Sequence, residues 1–385
     1  MKVTLVPQVL RWARERGGLS VRDLAEKLGA KPEQVREWEQ TGTLSFSRAD
    51  KLAKVTHTPF GYLYLETPPE EKLPIPDFRT VAGKDLLRPS PDLLDVLSDA
   101  FRRQDWFRDY LVAYGEEPLS LVGSAKLDDS PDEVAARIRD AIHLDTEVRG
   151  SARTWEEALR MQVEGMEDAG VLVMRSGIVG NNTSRQLAVD EFRGFALSDP
   201  YAPLVFINSR DSKGAQMFTL AHELVHIWLG VSGVSNLEST YAPNHRVERF
   251  CNRVAAELLV PTDELRSEWH TVRTQARPLA GLAQRFKVSS LVLLRRLRDL
   301  RFISQAQFER QYSEEEKRFE ERAAQAAGGG DFYLTQRTRT GTRFAKALIE
   351  SVLEGRTTYR DAFQLLGIRK IETFNEFVKE MNFAV

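Results

Sequence analysis

The sequence predicts a multi-domain protein: an all-α helix-turn-helix domain, then an α+β domain, then a helical carboxy-terminal region. Three observations predict it. The 385 residues are too many for one compact core, since domains usually hold ~100–200 residues. Short amphipathic helices broken by turns fill residues 8–65. Between residues 153 and 229, a helical segment is followed by short apolar runs bounded by Gly, Asp, Pro or Asn, which indicate strands.

The first domain shows the local signals of two helices joined by a tight turn. Ser20 is placed as the N-cap of a helix over Val21–Leu28, and Gly29 is placed to end that helix. Pro32 opens the next helix, because a proline in the first turn has no backbone hydrogen bond to lose. These signals predict helix, turn, helix.

The remaining chain divides by composition. Four prolines between residues 66 and 76 predict an extended linker. The strands of the α+β domain are predicted at Val171–Met174, Phe192–Leu197 and Pro203–Asn208, with helices gathered on one side of a small sheet. The predicted domains are the helix-turn-helix domain (1–67), linker and helical connector (68–150), α+β domain (151–270), helix-turn-helix-like segment (271–304), and charged helix with helical tail (305–385).

Charge and composition restrict the environment and the partners. The net charge is −2, with 54 basic and 56 acidic residues, which argues against a broad basic surface for nucleic acid or anionic membrane. Cys251 is the single cysteine, so an internal disulfide is excluded. The amino terminus lacks a signal-peptide pattern, and no uncharged apolar run of about 18 residues is present. We expect a cytoplasmic protein with no membrane partner.

One short pattern carries chemistry: His222-Glu223-Leu224-Val225-His226. Two histidines four residues apart lie one turn apart on one helix face, so both can bind one zinc ion. Glu223 can then take a proton from an attacking water and pass it to a leaving amine, as peptide hydrolysis requires. The alternative is two incidental histidines on a half-buried helix. Only six histidines are present, which makes an accidental match rare.

A catalytic zinc usually has three protein ligands, so a third donor is expected downstream. Glu248 is our first choice, and Asn252, four residues on, shares its helix face and can orient a ligand. His245 is the chemical rival. Glu257 is half a turn out of phase with Glu248, and is interpreted as a surface or buried structural acid. Manganese or iron can also occupy two histidines and a carboxylate, although zinc is commoner.

Two further roles in catalysis are assigned to loop and strand residues. A donor for the developing oxyanion can come from Tyr241 or His245, between the two helices. For Tyr241 the alternative is a loop aromatic that packs on the surface. The strand Phe192–Leu197 is a candidate edge that holds an extended substrate by main-chain pairing.

The second helix of the first domain, about residues 32–40, is expected to enter the major groove of DNA. Lys31, Gln34 and Arg36 can then meet base edges or phosphates. Residues 1–67 hold 11 basic and 8 acidic side chains, a surplus of three, so electrostatic affinity would be modest. The alternative is a helical protein-interaction module that has kept the fold without DNA binding.

Two stretches, FTLAHELVHIWLG at 218–230 and ERFCNRVAAELLVP at 248–261, resemble the ImmA/IrrE family of bacterial and phage metallopeptidases in order and spacing. This resemblance implies a zincin-like peptidase domain in which His222, His226 and Glu248 bind one zinc ion and Glu223 is the catalytic base. One departure is Phe250-Cys251, where Glu-Ala is common; it leaves the implied ligand untouched.

Residues 19–55 resemble the Xre family of phage-repressor-like helix-turn-helix domains, with Trp38-Glu39 and Gly42 near that family's Trp-Glu-x-Gly. Together the two resemblances imply a transcriptional or stress regulator that binds operator DNA and cleaves a protein such as a repressor. A homodimer is a further implied state. The alternative function is a non-proteolytic antitoxin and autorepressor of a toxin–antitoxin operon, with a cognate toxin as partner.

Overall fold

The computed structural model describes residues 1–78, 80–81, 84–85, 88–235, 246–274, 278–323 and 332–383, with backbone only for 80–81, 84–85, 316–323 and 332–334. The chain divides into two compact units. The first contains Met1–Pro74 and Leu86–Leu97, and the second contains Ile75–Asp85 and Ser98–Val385.

The first unit is built from short helices around one small apolar core. Its elements are β1 (Lys2–Thr4), α1 (Pro7–Arg16), α2 (Val21–Leu28), α3 (Pro32–Thr41), β2 (Thr43–Ser45), α4 (Phe46–Val55) and a 3-10 helix (Phe60–Tyr64). The strands β1 and β2 pair antiparallel. The core residues come from every helix and include Leu10, Leu24, Val35, Leu52 and Leu63. Burial of this shared core stabilises helices that are individually too short to persist alone.

The turn signals read from the sequence are confirmed in this unit. The Ser20 hydroxyl accepts a hydrogen bond from the backbone N–H of Asp23, and α2 begins at Val21 as predicted. Gly29 ends α2 in the left-handed conformation, at φ 62°, which favours glycine. Pro32 lies in the first turn of α3. The helix, turn and helix of the prediction are therefore α2, residues 29–31 and α3.

The second unit contains the remaining helices and a central four-stranded sheet. Its elements are β3 (Thr80–Val81), β4 (Lys84–Asp85), α5 (Pro91–Ala113, from Ser98 on), α6 (Pro131–Ala141), α7 (Thr146–Ser151), α8 (Trp155–Asp168), β5 (Leu172–Ser176), β6 (Ile178–Val179), β7 (Asn182–Gln186), β8 (Gly194–Leu197), β9 (Leu204–Asn208), α9 (Lys213–Leu229), β10 (Gly233–Ser235), α10 (Arg246–Leu259), α11 (Thr262–Val272), α12 (Pro278–Phe286), α13 (Ser290–Asp299), α14 (Gln305–Ala323), α15 (Phe332–Thr340), α16 (Thr342–Leu353), α17 (Tyr359–Leu366) and α18 (Ile371–Glu380). Among the described helices, none has the length and apolar character needed to cross a membrane.

The sheet has the order β10-β8-β9-β5, with β5 and β9 parallel and the other pairs antiparallel. The predicted helix-turn-helix, α+β and helical carboxy-terminal regions are all confirmed. The prediction that β8 is a sheet edge is wrong, because β10 pairs with its outer side. The sequence did not reveal β10, since three residues are too few to show the alternation of a strand. The edge strand on this side of the sheet is therefore β10.

Helix α9 lies in the centre of the second unit. It packs against β8 and β9 on one side and against α8 and α10 on others. Thirteen of its 17 residues are buried, because apolar side chains surround the helix instead of forming one stripe. Polar side chains on such a helix are buried together with the apolar ones.

The helix-turn-helix-like rhythm at residues 271–304 forms α12 and α13, whose apolar residues join the same core as α9. Leu282, Phe286 and Leu293 are fully buried there. The guanidinium of Arg296 on α13 donates hydrogen bonds to the Glu257 carboxylate and to the Val260 carbonyl. This segment therefore contributes packing to the α+β domain.

The carboxy-terminal helices dock on the other edge of the sheet, where α15 and α16 pack against β5. Gly341, at φ 80°, lets the chain approach closely, because a Cβ atom there would lie 2.8 Å from the Val173 carbonyl oxygen. The buried Glu167 carboxylate accepts a hydrogen bond of 3.1 Å from the backbone N–H of Arg343. Burial raises the pKa of Glu167 from 4.5 to about 7.

The raised pKa of Glu167 makes stability depend on pH. Between pH 4.5 and about 7 the folded chain keeps a proton that the unfolded chain has lost, so the free energy of unfolding falls as the pH rises through this window. Glu167→Gln removes this titration and keeps an acceptor oxygen for Arg343. We expect it to raise the melting temperature more at about pH 8 than at about pH 5.

Scanning calorimetry at the two pH values measures this effect, with Glu164→Gln as the control. Glu164 lies on the same helix, and its side chain is 58% exposed beside Arg160. An equal shift at both pH values in Glu167→Gln would contradict a raised pKa.

Candidate functional site

Helix α9 places three ionisable side chains in the protein interior. His222, Glu223 and His226 are all fully buried. The helix begins at a Ser212 cap that accepts from the Ala215 N–H, and it ends at Gly230 in the left-handed conformation. Both ends are therefore fixed, and the i, i+4 spacing of the histidines holds their rings on one face.

Helix α10 brings Glu248 to the two histidines. One carboxylate oxygen lies 3.1 Å from His222 Nε2, and the other lies 3.0 Å from His226 Nε2. The two Nε2 atoms are 3.2 Å apart. Two imidazole nitrogens and a carboxylate thus converge in an interior where isolated charge is costly. This donor set fits a divalent cation, which would neutralise the carboxylate and bind both nitrogens.

The pKa values reflect the same convergence. Burial lowers the pKa of His226. Burial is the largest effect on His222 and acts to lower its pKa, but the charge and hydrogen bond of Glu248, the charge of Glu223 and the hydrogen bond of Asn252 together outweigh burial, and this pKa is raised. For Glu248, burial acts to raise the pKa, and the two histidines more than offset it, so the pKa is lowered. The carboxylate is therefore held ionised between two potential cation-binding nitrogens.

Asn252 lies one turn after Glu248 on the same face of α10. Its side-chain oxygen is 3.0 Å from His222 Nδ1. An amide oxygen can only accept a hydrogen bond, so this contact requires a proton on Nδ1 and leaves the Nε2 lone pair directed at the site when the ring is neutral. The contact orients the His222 ring.

Glu223 is a fully buried acid whose raised pKa is partly offset by the nearby Ser235 hydroxyl. Within the described part of the chain, neither of its carboxylate oxygens has a hydrogen-bond partner. Burial raises the pKa of Glu223 to about 8. An unpartnered carboxyl group in this position can gain and lose a proton without breaking a structural contact, as a general base requires.

The structure also places Cys251 beside the two histidines, a position that was not predicted from the sequence. Its sulfur and one ring nitrogen from each of His222 and His226 lie within 4.8 Å of one another. Burial raises the pKa of this thiol well above its usual value. One signal in the sequence could have identified Cys251: it lies three residues after Glu248, a spacing that places both residues on the same face of a helix.

Glu257 is a buried acid whose carboxylate contacts structural residues and not the histidines of α9. Its carboxylate accepts hydrogen bonds from the Thr262 backbone N–H at 3.0 Å and the Thr262 hydroxyl at 2.7 Å. It also forms a buried ion pair with Arg296. Of the other predicted residues in this region, Tyr241 and His245 lie outside the described residues.

The three residues predicted to contact DNA lie at the start of α3, and all are exposed. Lys31 is the residue before the helix, and its backbone N–H donates to the Gln34 side-chain oxygen at 3.0 Å. Arg36 pairs with exposed Glu33 at 3.5 Å. Glu39 points into the core, where Arg14 Nε donates to it at 2.6 Å. One acidic charge of α3 is thus removed from its exposed face.

We predict that Asn252→Ala lowers the metal affinity about 10- to 100-fold, because His222 loses the contact that orients its ring. Competition with a chromophoric chelator measures the affinity. Asn252→Asp, which keeps an acceptor oxygen, should restore most of it, and Arg249→Ala, at an exposed position of the same helix, should have no effect. Unchanged affinity in Asn252→Ala would refute the orienting role.

Comparison with known families agrees with this architecture. Residues 166–298 match a family described as the IrrE N-terminal-like domain, within the M78 peptidases, and residues 10–63 match a helix-turn-helix family. Residues 340–380 match a domain of unknown function. No curated protein matches the chain. The resemblance drawn from the sequence is confirmed: the chain joins an Xre-type helix-turn-helix to an ImmA/IrrE-type peptidase domain.

Proposed function

We propose that this protein is a zinc-dependent endopeptidase and transcriptional regulator, which binds operator DNA and cleaves another protein such as a repressor. The observation that carries the proposal is the buried convergence of His222, His226 and Glu248 beside Glu223, whose carboxyl group has no hydrogen-bond partner among the described residues. The match to the IrrE N-terminal-like domain supports a peptidase of the metal-dependent type.

The donor set favours zinc at a site with an open position. Two histidines and one carboxylate are three protein ligands, which leave a fourth position for water or substrate. When bound, the metal would supply Lewis acidity toward the scissile carbonyl and toward water. The protein's contribution is to hold these ligands on α9 and α10, whose packing excludes other water from the donors.

Glu223 would move the proton in hydrolysis. As the water oxygen bonds to the carbonyl carbon, Glu223 takes one proton from the water. When the carbon–nitrogen bond breaks, the same carboxyl group gives that proton to the leaving amine. Its burial without a hydrogen-bond partner among the described residues suits this exchange.

The helix-turn-helix would provide the second activity. The exposed side chains of Lys31, Gln34 and Arg36 project from the beginning of α3, the part of a recognition helix that meets DNA. Arg14 neutralises Glu39 within the core, which reduces repulsion of phosphate at this face.

For catalysis we predict that Glu223→Gln keeps the metal but loses about 10²- to 10⁴-fold in cleavage rate, because the amide cannot take the proton. Elemental analysis measures the zinc, and gel electrophoresis of a candidate repressor measures the cleavage. His222→Ala and Glu248→Ala should lose both zinc and cleavage.

Three results would contradict this prediction. Wild-type cleavage by Glu223→Gln would remove Glu223 from the mechanism. A wild-type protein that binds no zinc, manganese or iron would exclude a metallopeptidase. Neutralisation of a toxin by Glu223→Gln, without cleavage by either protein, would favour the antitoxin and autorepressor function.

For DNA we predict that combined Lys31→Ala and Arg36→Ala substitutions weaken binding to the DNA upstream of its own gene. The salt dependence of log K should become shallower by roughly 0.9 for each lost phosphate contact. Fluorescence anisotropy at several salt concentrations measures both. Lys54→Ala is the control, since this exposed lysine lies on α4 and pairs with Asp50. Unchanged affinity in the double variant would favour a protein-interaction module.

A further inference from the structure

A short segment of the proline-rich linker lies on the edge of the sheet. The backbone N–H of Val234 in β10 donates to the Pro76 carbonyl at 3.1 Å, and the N–H of Phe78 donates to the Val234 carbonyl at 2.9 Å. The two bonds form a parallel bridge between Asp77 and Val234. Residues 76–78 therefore occupy the side of β10 that faces away from β8.

The same segment reaches the candidate metal centre. The Phe78 ring stacks on the ring of His226, with centroids 5.6 Å apart and an angle of 20° between the planes. Gly233 makes room for this ring, because a Cβ atom at Gly233 would lie 2.3 Å from Phe78 Cε2 and 2.5 Å from Cδ2. The position of Phe78 thus depends on both a candidate metal ligand and the absence of a side chain in β10.

This arrangement is that of a peptide bound by strand addition. An extended chain pairs its backbone with an exposed sheet edge, and its side chains then enter neighbouring pockets. Here the backbone pairs with β10, and the aromatic side chain lies over His226. A linker that only connects two domains needs neither contact.

The described backbone pairing of the segment with β10 is a single bridge. Pro76 has no backbone N–H, so it contributes only its carbonyl to the pairing. Among the contacts between described residues, two backbone hydrogen bonds and the ring contact with His226 join the segment to this edge. Because the segment is tethered, its high effective concentration lets these few contacts keep the edge filled.

We propose that Pro76–Phe78 occupies the substrate-binding edge of the peptidase site, and that its natural competitor is an extended peptide segment presenting an aromatic side chain over His226. The inference rests on the proposed peptidase function and identifies both its substrate class and a built-in restraint on the site. Substrate binding requires the linker segment to leave β10.

Peptide binding tests the inference without requiring catalysis. The probe is a fluorescein-labelled peptide of residues 73–80, LPIPDFRT, added to zinc-loaded protein that carries Glu223→Gln to prevent cleavage. Fluorescence anisotropy gives its affinity. Adding Phe78→Ala to the protein should tighten probe binding about tenfold or more, because the tethered competitor loses its ring contact. A probe with alanine in place of its phenylalanine should lose this gain.

Two further variants provide matched comparisons. Lys72→Ala changes the same linker at a side chain that is 75% exposed and pairs with Glu70, so probe binding should stay at the parent level. Gly233→Ala places a methyl group against the Phe78 ring and should also release the segment. Hydrogen exchange of the Phe78 amide should accelerate in Phe78→Ala and Gly233→Ala and stay slow in Lys72→Ala.

The inference is overturned if the probe binds Phe78→Ala no better than Lys72→Ala, or if the Phe78 amide exchanges as fast in the parent protein as in Gly233→Ala. Zinc content and circular dichroism identify a misfolded variant. In that case, hydrogen exchange of the Phe78 amide in the parent protein decides, since fast exchange there would show that the segment does not occupy the edge. Failure of the proposed function is a separate result: the wild-type protein, with Glu223 intact, would cleave no candidate repressor, whereas probe binding to the released edge of the Glu223→Gln protein would persist.

Discussion

The buried carboxylate of Glu248 between His222 and His226 is the interaction on which the second unit depends. These groups sit on helices whose other faces are packed in the apolar core, so the charge cannot be relieved by solvent. An uncompensated charge in such a place would destabilise the fold strongly. A proton shared with the histidines, or a divalent cation, is the compensation that this geometry permits. The proposed metal binding and the stability of the second unit therefore depend on the same three side chains.

One face of helix α10 contacts the histidines of the candidate metal site, and another face packs against α13. Glu248, Cys251 and Asn252 follow helical spacing and face the histidines. Glu257 lies out of that phase and anchors Arg296 of α13, beside the Val260 carbonyl. The helix-turn-helix-like segment thus supports the ligand helix from behind. The regular spacing of its apolar residues reflects this packing. Such spacing alone therefore does not indicate a second DNA-binding helix-turn-helix.

The sequence predicted those parts of the site that follow from local spacing. The histidine pair and Glu248 are recognisable because each lies within one helix, where residue number sets direction. Likewise, Ser20 and Gly29 act within a few residues of the helix ends that they determine. The contact between Phe78 and His226, and that between Glu167 and Arg343, join segments far apart in the chain. No local pattern encodes such pairs. The strand β10 escapes prediction for another reason, since its three residues are too few to show alternation, and without β10 the sequence predicts β8 as the edge.

A tethered occupant also determines which substrates can compete. Because Pro76–Phe78 belongs to the chain, its local concentration exceeds that of any dilute protein, and a peptide that offers no more contacts than this segment would rarely displace it. A successful substrate must pair with more of the edge or reach contacts that the prolines of the linker prevent. Selectivity would then arise from the length and extended conformation of the substrate segment as much as from its aromatic residue. A folded protein that exposes no such segment would be spared, which is the property required of a regulatory peptidase.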